Sequence, residues 1–450
     1  MDVLFSIIIA SYNDEFYVSD CIQSLLNQSF GDFELIIIDD GSTDNTIDII
    51  KKYQNLDARV RLVCLEKNHG AGYARNVGLR LARGQYLLFL DADDFFDIRM
   101  LEGVCQAFSR DQSDIVMYNF FICNEETHEE TLFDEYNLFR IQSLKMPCGL
   151  EQISEYAFQI YHEIAWNKAF SRKLILDHCV FFQEQHNAND QFFVFANLLN
   201  ATRISFIREA YAHYRLHYHG QLSKKIDENP FCIYEATKLC RNYLLRHKKR
   251  GLLKSFNTYV VNRLLFSIQN VNDENKEKLY TFYQQIGWKS LQMSDCLRED
   301  FRDALSYQLF LKMNECKRIE TVLEMKSLFR WRPKMIVKLI DRIQKGAGKT
   351  VLWGAGRRGK EFLEIIEKNR FAKLDMVVDA NPNMIGTELH SYVVSSIEKV
   401  EDGSYVFITN INHLESIRNM AKSLNIAVCL VDLDTYMKFD ADPNDVMIRI

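Results

Sequence analysis

Four short apolar runs recur at near-even spacing within the first hundred residues: Leu4 to Ala10, Phe33 to Asp39, Val60 to Leu65 and Gln85 to Leu90. Each is almost uniformly hydrophobic, which suits a strand buried on both faces, because a strand with one wet face would alternate. The intervals have helical period instead. Val18, Ile22, Leu25 and Leu26 make one stripe, and Ile47, Ile49, Ile50 and Tyr53 make a second after the capping candidates Ser42 and Thr43. Strand and helix alternating about every 25 to 30 residues predict right-handed βαβ units and a mainly parallel sheet.

Open sheets of this kind bind ligands beyond the carboxyl ends of their strands, and the unusual residues lie there. The first run passes into Ser11-Tyr12-Asn13-Asp14 and the second into Asp39-Asp40-Gly41-Ser42. The third leads to Asn68-His69-Gly70-Ala71-Gly72-Tyr73-Ala74-Arg75-Asn76, and the fourth ends in Asp91-Ala92-Asp93-Asp94. Crowded carboxylates repel unless a cation sits between them, and Mg2+ or Mn2+ is held by one or two carboxylates together with substrate phosphate oxygens. A solvated acidic turn is the plainer account of the last loop. Its place beside three other polar strand ends favours the cation.

The ordered set Ser6-x-Ile8-Ile9-Ala10-Ser11-Tyr12-Asn13, Ile37-Ile38-Asp39-Asp40-Gly41-Ser42-Thr43-Asp44, Gly70-x-x-x-Ala74-Arg75-Asn76-x-Gly78 and Asp91-Ala92-Asp93-Asp94 resembles the nucleotide-sugar-binding half of the family-two inverting glycosyltransferases. The likeness covers residues 4–110 and continues more loosely to 225. It implies an α/β, GT-A nucleotide-diphospho-sugar transferase domain with a mixed, mainly parallel sheet. It also implies donor-binding roles: Ser11, Tyr12 and Asn13 at the base, Asp40 on the nucleobase, Asp39 on the loop or ribose, Arg75 at the diphosphate, and Asp91 with Ala92 at the ribose. Asp93 would bind Mn2+ or Mg2+. The chemistry agrees, since a uracil-type N–H suits a carboxylate acceptor and a guanidinium fork suits phosphate oxygens. Asp39 or Asp40 could equally cap the following helix.

Downstream, His186-Asn187-Ala188-Asn189-Asp190-Gln191-Phe192-Phe193 resembles the family's acidic motif, with Asn189 where a Glu is usual. By that likeness Asp190 is the general base, with Glu184 as the fallback; a helix-terminal acid is the structural alternative. Ala165-Trp166-Asn167-Lys168 resembles the acceptor-side segment, where Trp166, Asn167 and Lys168 would meet a sugar. Trp166 serves equally well as a core residue. His213-Tyr214-Arg215-Leu216-His217-Tyr218-His219 resembles the strand end that closes the domain, which puts His217 or Arg215 near the diphosphate and His217 at its metal. Three His in seven residues suggest zinc, but no Cys pair or Glu-containing helix motif completes such a site, so the place near the diphosphate is preferred.

At 450 residues the chain exceeds one ordinary core. Three parts are expected: a transferase domain over 1–225, a helical region over 226–345 and a Rossmann-like domain over 347–450. The last begins with Val351-Leu352-Trp353 and the turn Gly354-x-Gly356-x-x-Gly359, with Asp379 where a ribose-binding acid would lie. Such a turn also persists where helix and strand merely pack closely. A net charge of −6 argues against nucleic acid as a partner. Eleven Cys without a C-x-x-C pair suit a cytoplasmic protein. Neither a signal peptide nor a membrane span is expected.

Processive members of the family carry transmembrane helices and a Gln-x-x-Arg-Trp motif. Here Ser327 precedes Arg330-Trp331 at the Gln position. Two basic patches, Arg241 to Lys254 and Lys326 to Lys345, suit peripheral contact with an anionic inner membrane face and a lipid-linked acceptor. Solvated helices packed by their apolar faces would carry the same residues. The resemblance therefore implies a metal-dependent enzyme moving a hexosyl or N-acetylhexosaminyl group from a nucleoside-diphosphate donor, UDP-linked, to a glycan or lipid-linked acceptor in bacterial-type surface polysaccharide assembly. The competing readings are a degenerate nucleotide-sugar-binding scaffold, prompted by Asn189, and an oxidoreductase built on the C-terminal turn.

Overall fold

The computed structural model describes residues 3–133, 146–154, 157–160, 163–216, 226–302 and 304–323, then 340, 344, 348–356, 359–360, 362–363, 366, 374–408, 417, 420, 428–432 and 447–449. The chain forms two compact units, Met1–Arg302 and Asp303–Ile450.

In the first unit the four apolar runs are strands β1 (Phe5–Ser11), β2 (Phe33–Asp39), β3 (Val60–Cys64) and β4 (Tyr86–Asp91), paired parallel in the order β3-β2-β1-β4. Ile7, Ile8, Ile9, Leu35 to Ile38 and Leu87 to Leu90 are fully buried, so both faces of this sheet are covered, as uninterrupted apolar runs require. Helices α1 (Val18–Leu26), α2 (Thr46–Leu56) and α3 (Ala71–Leu81) supply the crossovers. α1 buries Val18, Cys21, Ile22 and Leu25, close to the expected stripe. α2 corrects its expected start: it begins at Thr46, with Asn45 as its cap residue. Ser42 and Thr43 are occupied elsewhere. The Asn13 N–H donates to Ser42 Oγ at 2.9 Å, and the Thr43 N–H donates to Asn13 Oδ1 at 2.8 Å.

After β4 come β5 (Phe95–Phe96), α4 (Met100–Asp111), β6 (Ile115–Asn124), β7 (Glu129–Phe133), β8 (Lys168–Ser171), α5 (Arg172–His178), α6 (Gln191–Asn200) and β9 (Ile204–Leu216). The sheet continues β4-β8-β6-β9-β5, with β7 on β6. β8 is antiparallel to β4 and β6 while β6 and β9 are parallel, which makes the sheet mixed. At the amino ends of its strands Glu34, 3% exposed, accepts from Ser6 Oγ (2.7 Å), the Arg83 N–H (2.8 Å) and the Arg83 and Arg61 guanidinium groups (2.8 and 3.0 Å). Burial works against its charge, yet these donors, Arg83 foremost, hold its carboxyl below the usual range.

Helices α7 (Cys232–Arg246), α8 (Leu253–Gln269) and α9 (Asp273–Phe282) belong to the same unit. α8 is buried along most of its length. Arg241, expected in a surface basic patch, is 4% exposed; it donates to Asn257 Oδ1 at 2.6 Å and to the Gln292 carbonyl at 2.9 Å, so it pins helices together. Lys326 to Lys338 of the second patch, with Arg342 and Lys345, lie outside the described residues. Among the described residues no helix is long and apolar enough to cross a membrane.

The second unit contains α10 (Ala304–Glu315) and strands β10 (Thr350–Trp353), β11 (Met376–Asp379), β12 (Glu388–Leu389), β13 (Tyr392–Val393), β14 (Ser395–Ser396), β15 (Ser404–Ile408), β16 (Val428–Asp432) and β17 (Met447–Arg449). Its sheet runs β14-β11-β10-β15-β16-β17, parallel except at β17. With the β12–β13 hairpin set aside, that is the 3-2-1-4-5-6 order also found in doubly wound dinucleotide sheets.

Candidate active site

The loops at the carboxyl ends of β1 to β4 are tied to one another by hydrogen bonds. Asp39 is fully buried; its Oδ1 accepts from the N–H groups of Gly41 (3.2 Å) and Ser42 (2.9 Å), while its Oδ2 has no hydrogen-bond partner among the described residues. It closes a tight turn at Gly41, whose φ is +79°, and does not cap α2. Asp40 accepts from the N–H groups of His69 (2.8 Å) and Gly70 (2.6 Å), so both its oxygens hold the third loop. The nucleobase was expected on Asp40 and a supporting part on Asp39; the hydrogen bonds fit the reverse better. A buried carboxylate oxygen with no donor is the one a ligand N–H or O–H would complete. Tyr12 is exposed and Ser11 donates to Asp14 Oδ2 at 2.8 Å.

At the tip of β4 the carboxylate oxygens of Asp91, Asp93 and Asp94 lie within 4.8 Å of one another, with Ala92 buried between them. Asp94 is fully buried. Its Oδ1 accepts from the Arg215 N–H at 2.9 Å and its Oδ2 has no hydrogen-bond partner among the described residues. Burial, then the charges of Asp93 and Asp91, pushes its pKa well up. Half-buried Asp14 is raised to about 7, first by loss of water and then by Asp93. Acids forced toward their neutral forms by burial and then by one another, one with an orphaned oxygen, fit a hard divalent cation. Asp14 and Asp94 were missed as site residues. Both stand in the quoted motifs, but only folding shows that they face the same corner.

His217 lies outside the described residues, as do 218–225. Arg215 is held beside the corner, its Nη2 donating to Asp20 at 3.0 Å and its guanidinium 5.3 and 4.8 Å from the rings of Tyr17 and Phe95.

Arg75 joins this corner to the downstream acidic motif. Its Nη2 donates to Asp91 Oδ1 and its Nη1 to Asn189 Oδ1, each at 2.6 Å, and it is 8% exposed. α3 comes that close because of Gly72: a Cβ there would lie 2.0 Å from the Gln183 carbonyl oxygen and 3.1 Å from Asn189 Cβ. Asn76 reinforces the contact, donating to the Phe182 carbonyl (3.0 Å) and accepting from the Phe182 N–H (2.9 Å). Asn189, the departure from the resembled acidic motif, thus serves as a neutral acceptor for Arg75. Asp190 is half-buried at the start of α6 and makes no side-chain cap hydrogen bond. Burial pushes its pKa to about 6, with Arg75 pulling down and Glu163 and Asp91 pushing up. Glu184 is exposed and accepts from Asn76 at 3.2 Å.

The acceptor-side expectation is corrected for two residues. Asn167 and Lys168 are both 0% exposed; Lys168 Nζ donates to the Ile164 carbonyl and to Asn167 Oδ1, each at 2.7 Å. They present no surface to an acceptor, and burial lowers the Lys168 pKa to about 7. Trp166, 7% exposed, stacks on Tyr214 at 5.4 Å and 7° and meets Phe120 edge-on, which is core packing.

In the second unit Gly354 has a φ of +110°, and a Cβ on Gly359 would lie 2.0 Å from the Gly354 carbonyl oxygen, so strand and helix touch there. A Cβ on Gly356 would meet nothing within 4 Å among the described residues. Asp379 Oδ2 accepts from the Ala355 N–H at 2.6 Å and its Oδ1 from the Asn381 N–H at 2.8 Å, so the expected ribose acid also fastens the turn.

Residues 6–178 match the family described as Glycosyl transferase family 2. Among curated proteins, the chain is 28% identical over 291 residues to EpsH of Bacillus subtilis, named as a glycosyltransferase, covering 59% of this chain and 81% of that protein. It is 28% identical over 239 residues to the poly(ribitol-phosphate) beta-N-acetylglucosaminyltransferase TarS of Staphylococcus aureus, covering 52% of this chain but only 39% of TarS. A 91-residue stretch is 48% identical to TuaG of Bacillus subtilis, named as a teichuronic acid biosynthesis glycosyltransferase, covering 20% of this chain and 36% of TuaG. The crystal structure of S. aureus TarS residues 1–349 with UDP-GlcNAc aligns with a TM-score of 0.49 and 22% identity, over 69% of this chain and 92% of that one.

Proposed function

We propose that this chain, whose residues 6–178 match the Glycosyl transferase family 2 model, is a glycosyltransferase of GT-A type that moves a hexosyl or N-acetylhexosaminyl group from a UDP-linked donor to a glycan or lipid-linked acceptor in surface polysaccharide assembly. The names of TarS and TuaG support that direction, and the name of EpsH supports glycosyl transfer. The observation that carries it is the single guanidinium of Arg75 joining Asp91 of the acidic corner to Asn189, next to Asp190. Donor side and base side of an in-line displacement are thereby held in one register.

Asp39 Oδ2 receives a donor N–H or hydroxyl, and Asp91 and Arg75 stand at the ribose and diphosphate. Asp93, with Asp91 and Asp94, would hold Mn2+ or Mg2+, which supplies neutralisation of the charge developing on the departing nucleoside diphosphate. Asp190 takes the acceptor hydroxyl's proton. Attack from the face opposite the leaving group inverts the anomeric centre. Leaving-group protonation is unnecessary, so one carboxylate suffices for proton transfer. For the second unit, the strand order and the Gly354 turn support a Rossmann-like reading.

The test is release of UDP from a panel of UDP-sugars with manganese present, by wild type and by Asp93→Ala, each with and without candidate acceptors. Turnover abolished by Asp93→Ala is expected. Donor binding without turnover across a broad acceptor panel would overturn the reading and favour a nucleotide-sugar-binding scaffold.

A further inference from the structure

Beyond the acidic corner, one other group of metal-ligating side chains converges among the described residues: Cys123 on β6, Glu130 on β7 and His213 on β9. Strand register produces it. Cys123 lies directly opposite Glu130 in the antiparallel β6–β7 pair, and Phe121, two residues before Cys123 on the same face, lies opposite His213. Cys123 Sγ is 3.2 Å from Glu130 Oε1 and 3.9 Å from His213 Nδ1, and His213 Nδ1 is 2.5 Å from Glu130 Oε1. The imidazole is fixed in orientation, stacked on Phe95 (4.4 Å, 12°) and near-parallel to Phe121 (5.2 Å, 22°). Rings sandwiched in this way present one nitrogen in a constant direction.

We propose that Cys123, Glu130 and His213 form a zinc site with one open position. Zinc takes thiolate, imidazole and carboxylate donors at about 2.0–2.3 Å, which sets donors around a tetrahedral ion roughly 3.3–3.7 Å apart. The three separations observed bracket that span, and Glu130, 47% exposed, has room to swing outward. A thiol–imidazole–carboxylate set selects a borderline ion, whereas the all-carboxylate corner selects a hard one. Zinc here would staple the β6–β7 hairpin to β9 two residues before Arg215, whose N–H supports Asp94. The inference does not depend on the proposed transferase activity.

The test is titration of the metal-free full chain with Co2+, read by absorption, then competition with Zn2+. One thiolate-ligated cobalt per chain, marked by a thiolate-to-cobalt charge-transfer band in the near ultraviolet, is expected. Cys123→Ser and His213→Gln remove the band or weaken zinc binding by about tenfold or more, since even outer-shell losses cost that much. Asp93→Asn keeps both. Circular dichroism checks folding, and Glu130→Gln at the exposed rim carries the same comparison should the half-buried Cys123 and His213 variants fail to fold. A wild type without the charge-transfer band, or folded variants that bind zinc as tightly as wild type, overturns the proposal.

Discussion

Asp190→Asn isolates proton transfer from everything else the site does. The side chains have the same shape, and Asp190 makes no cap hydrogen bond that the amide would forfeit. The variant therefore keeps α6, and it keeps Arg75 on Asn189. Removing a positioned base costs about 10²- to 10⁴-fold in rate. The wild type supplies a second, sharper check. Only ionised Asp190 accepts a proton, and its pKa is raised to about 6, so the rate climbs with pH through that value and is level above it. One pH unit below the midpoint the ionised fraction, and hence kcat, is about one tenth of its plateau. The assay is nucleoside diphosphate release at saturating donor and acceptor from pH 5 to 8.5, with folding matched by circular dichroism. Glu163 pushes the Asp190 pKa upward, so Glu163→Gln moves the limb to lower pH. A folded Asp190→Asn that retains more than about a tenth of wild-type kcat, with the acid limb intact, would refute the assignment.

Asp39→Asn preserves the Oδ1 acceptor of the Gly41 turn but removes the charge at the orphaned Oδ2. Donor KM is expected to rise roughly 10- to 150-fold, the worth of a hydrogen bond to a charged group, while the melting temperature barely changes; an unchanged KM would place the ligand elsewhere. Gly72→Ala puts a methyl group into the Gln183 carbonyl and displaces the segment bearing Asn189 and Asp190. A loss of about 100-fold in kcat, with about 1–3 kcal/mol of stability, follows from such a shift, and denaturant titration with kinetics checks it. Gly359→Ala meets the Gly354 carbonyl. Faster amide exchange confined to β10 and β11 is expected, and exchange equal to wild type would show that strand and helix do not touch there.

The parallel half of the sheet was legible because uninterrupted apolar runs leave a strand no wet face, and the observed bounds of β1 to β4 differ from the runs by one residue at most ends. The acidic corner was legible for the same reason, since topology gathers strand ends. Sequence did not reveal how the carboxylates divide their work. Asp39 and Asp40 are adjacent and alike, and only the third loop's amide groups, brought in by folding, show that Asp40 is occupied and Asp39 has an oxygen to spare. Burial misled in the other direction at Asn167 and Lys168. A polar pair beside Trp166 looks like surface until Asn167 Oδ1 and the Ile164 carbonyl are found taking up the ammonium. Arg241 is the same lesson within a run of lysines.

Glu34 and the corner at Asp14 and Asp94 lie at opposite ends of the same strands and answer acid in opposite senses. Asp14 binds its proton more readily folded than unfolded, so between neutrality and about pH 4 acidification tightens the fold there. Glu34 does the reverse: its hold on Arg83, Ser6 and Arg61 is complete above its unfolded value and slips as pH falls below it. In the chain without cation or donor these two ends are thus a balance whose shared optimum lies in mildly sour water. Manganese, by displacing protons from the crowded end, would draw that optimum toward neutral, a movement visible in melting curves taken with and without the ion across pH.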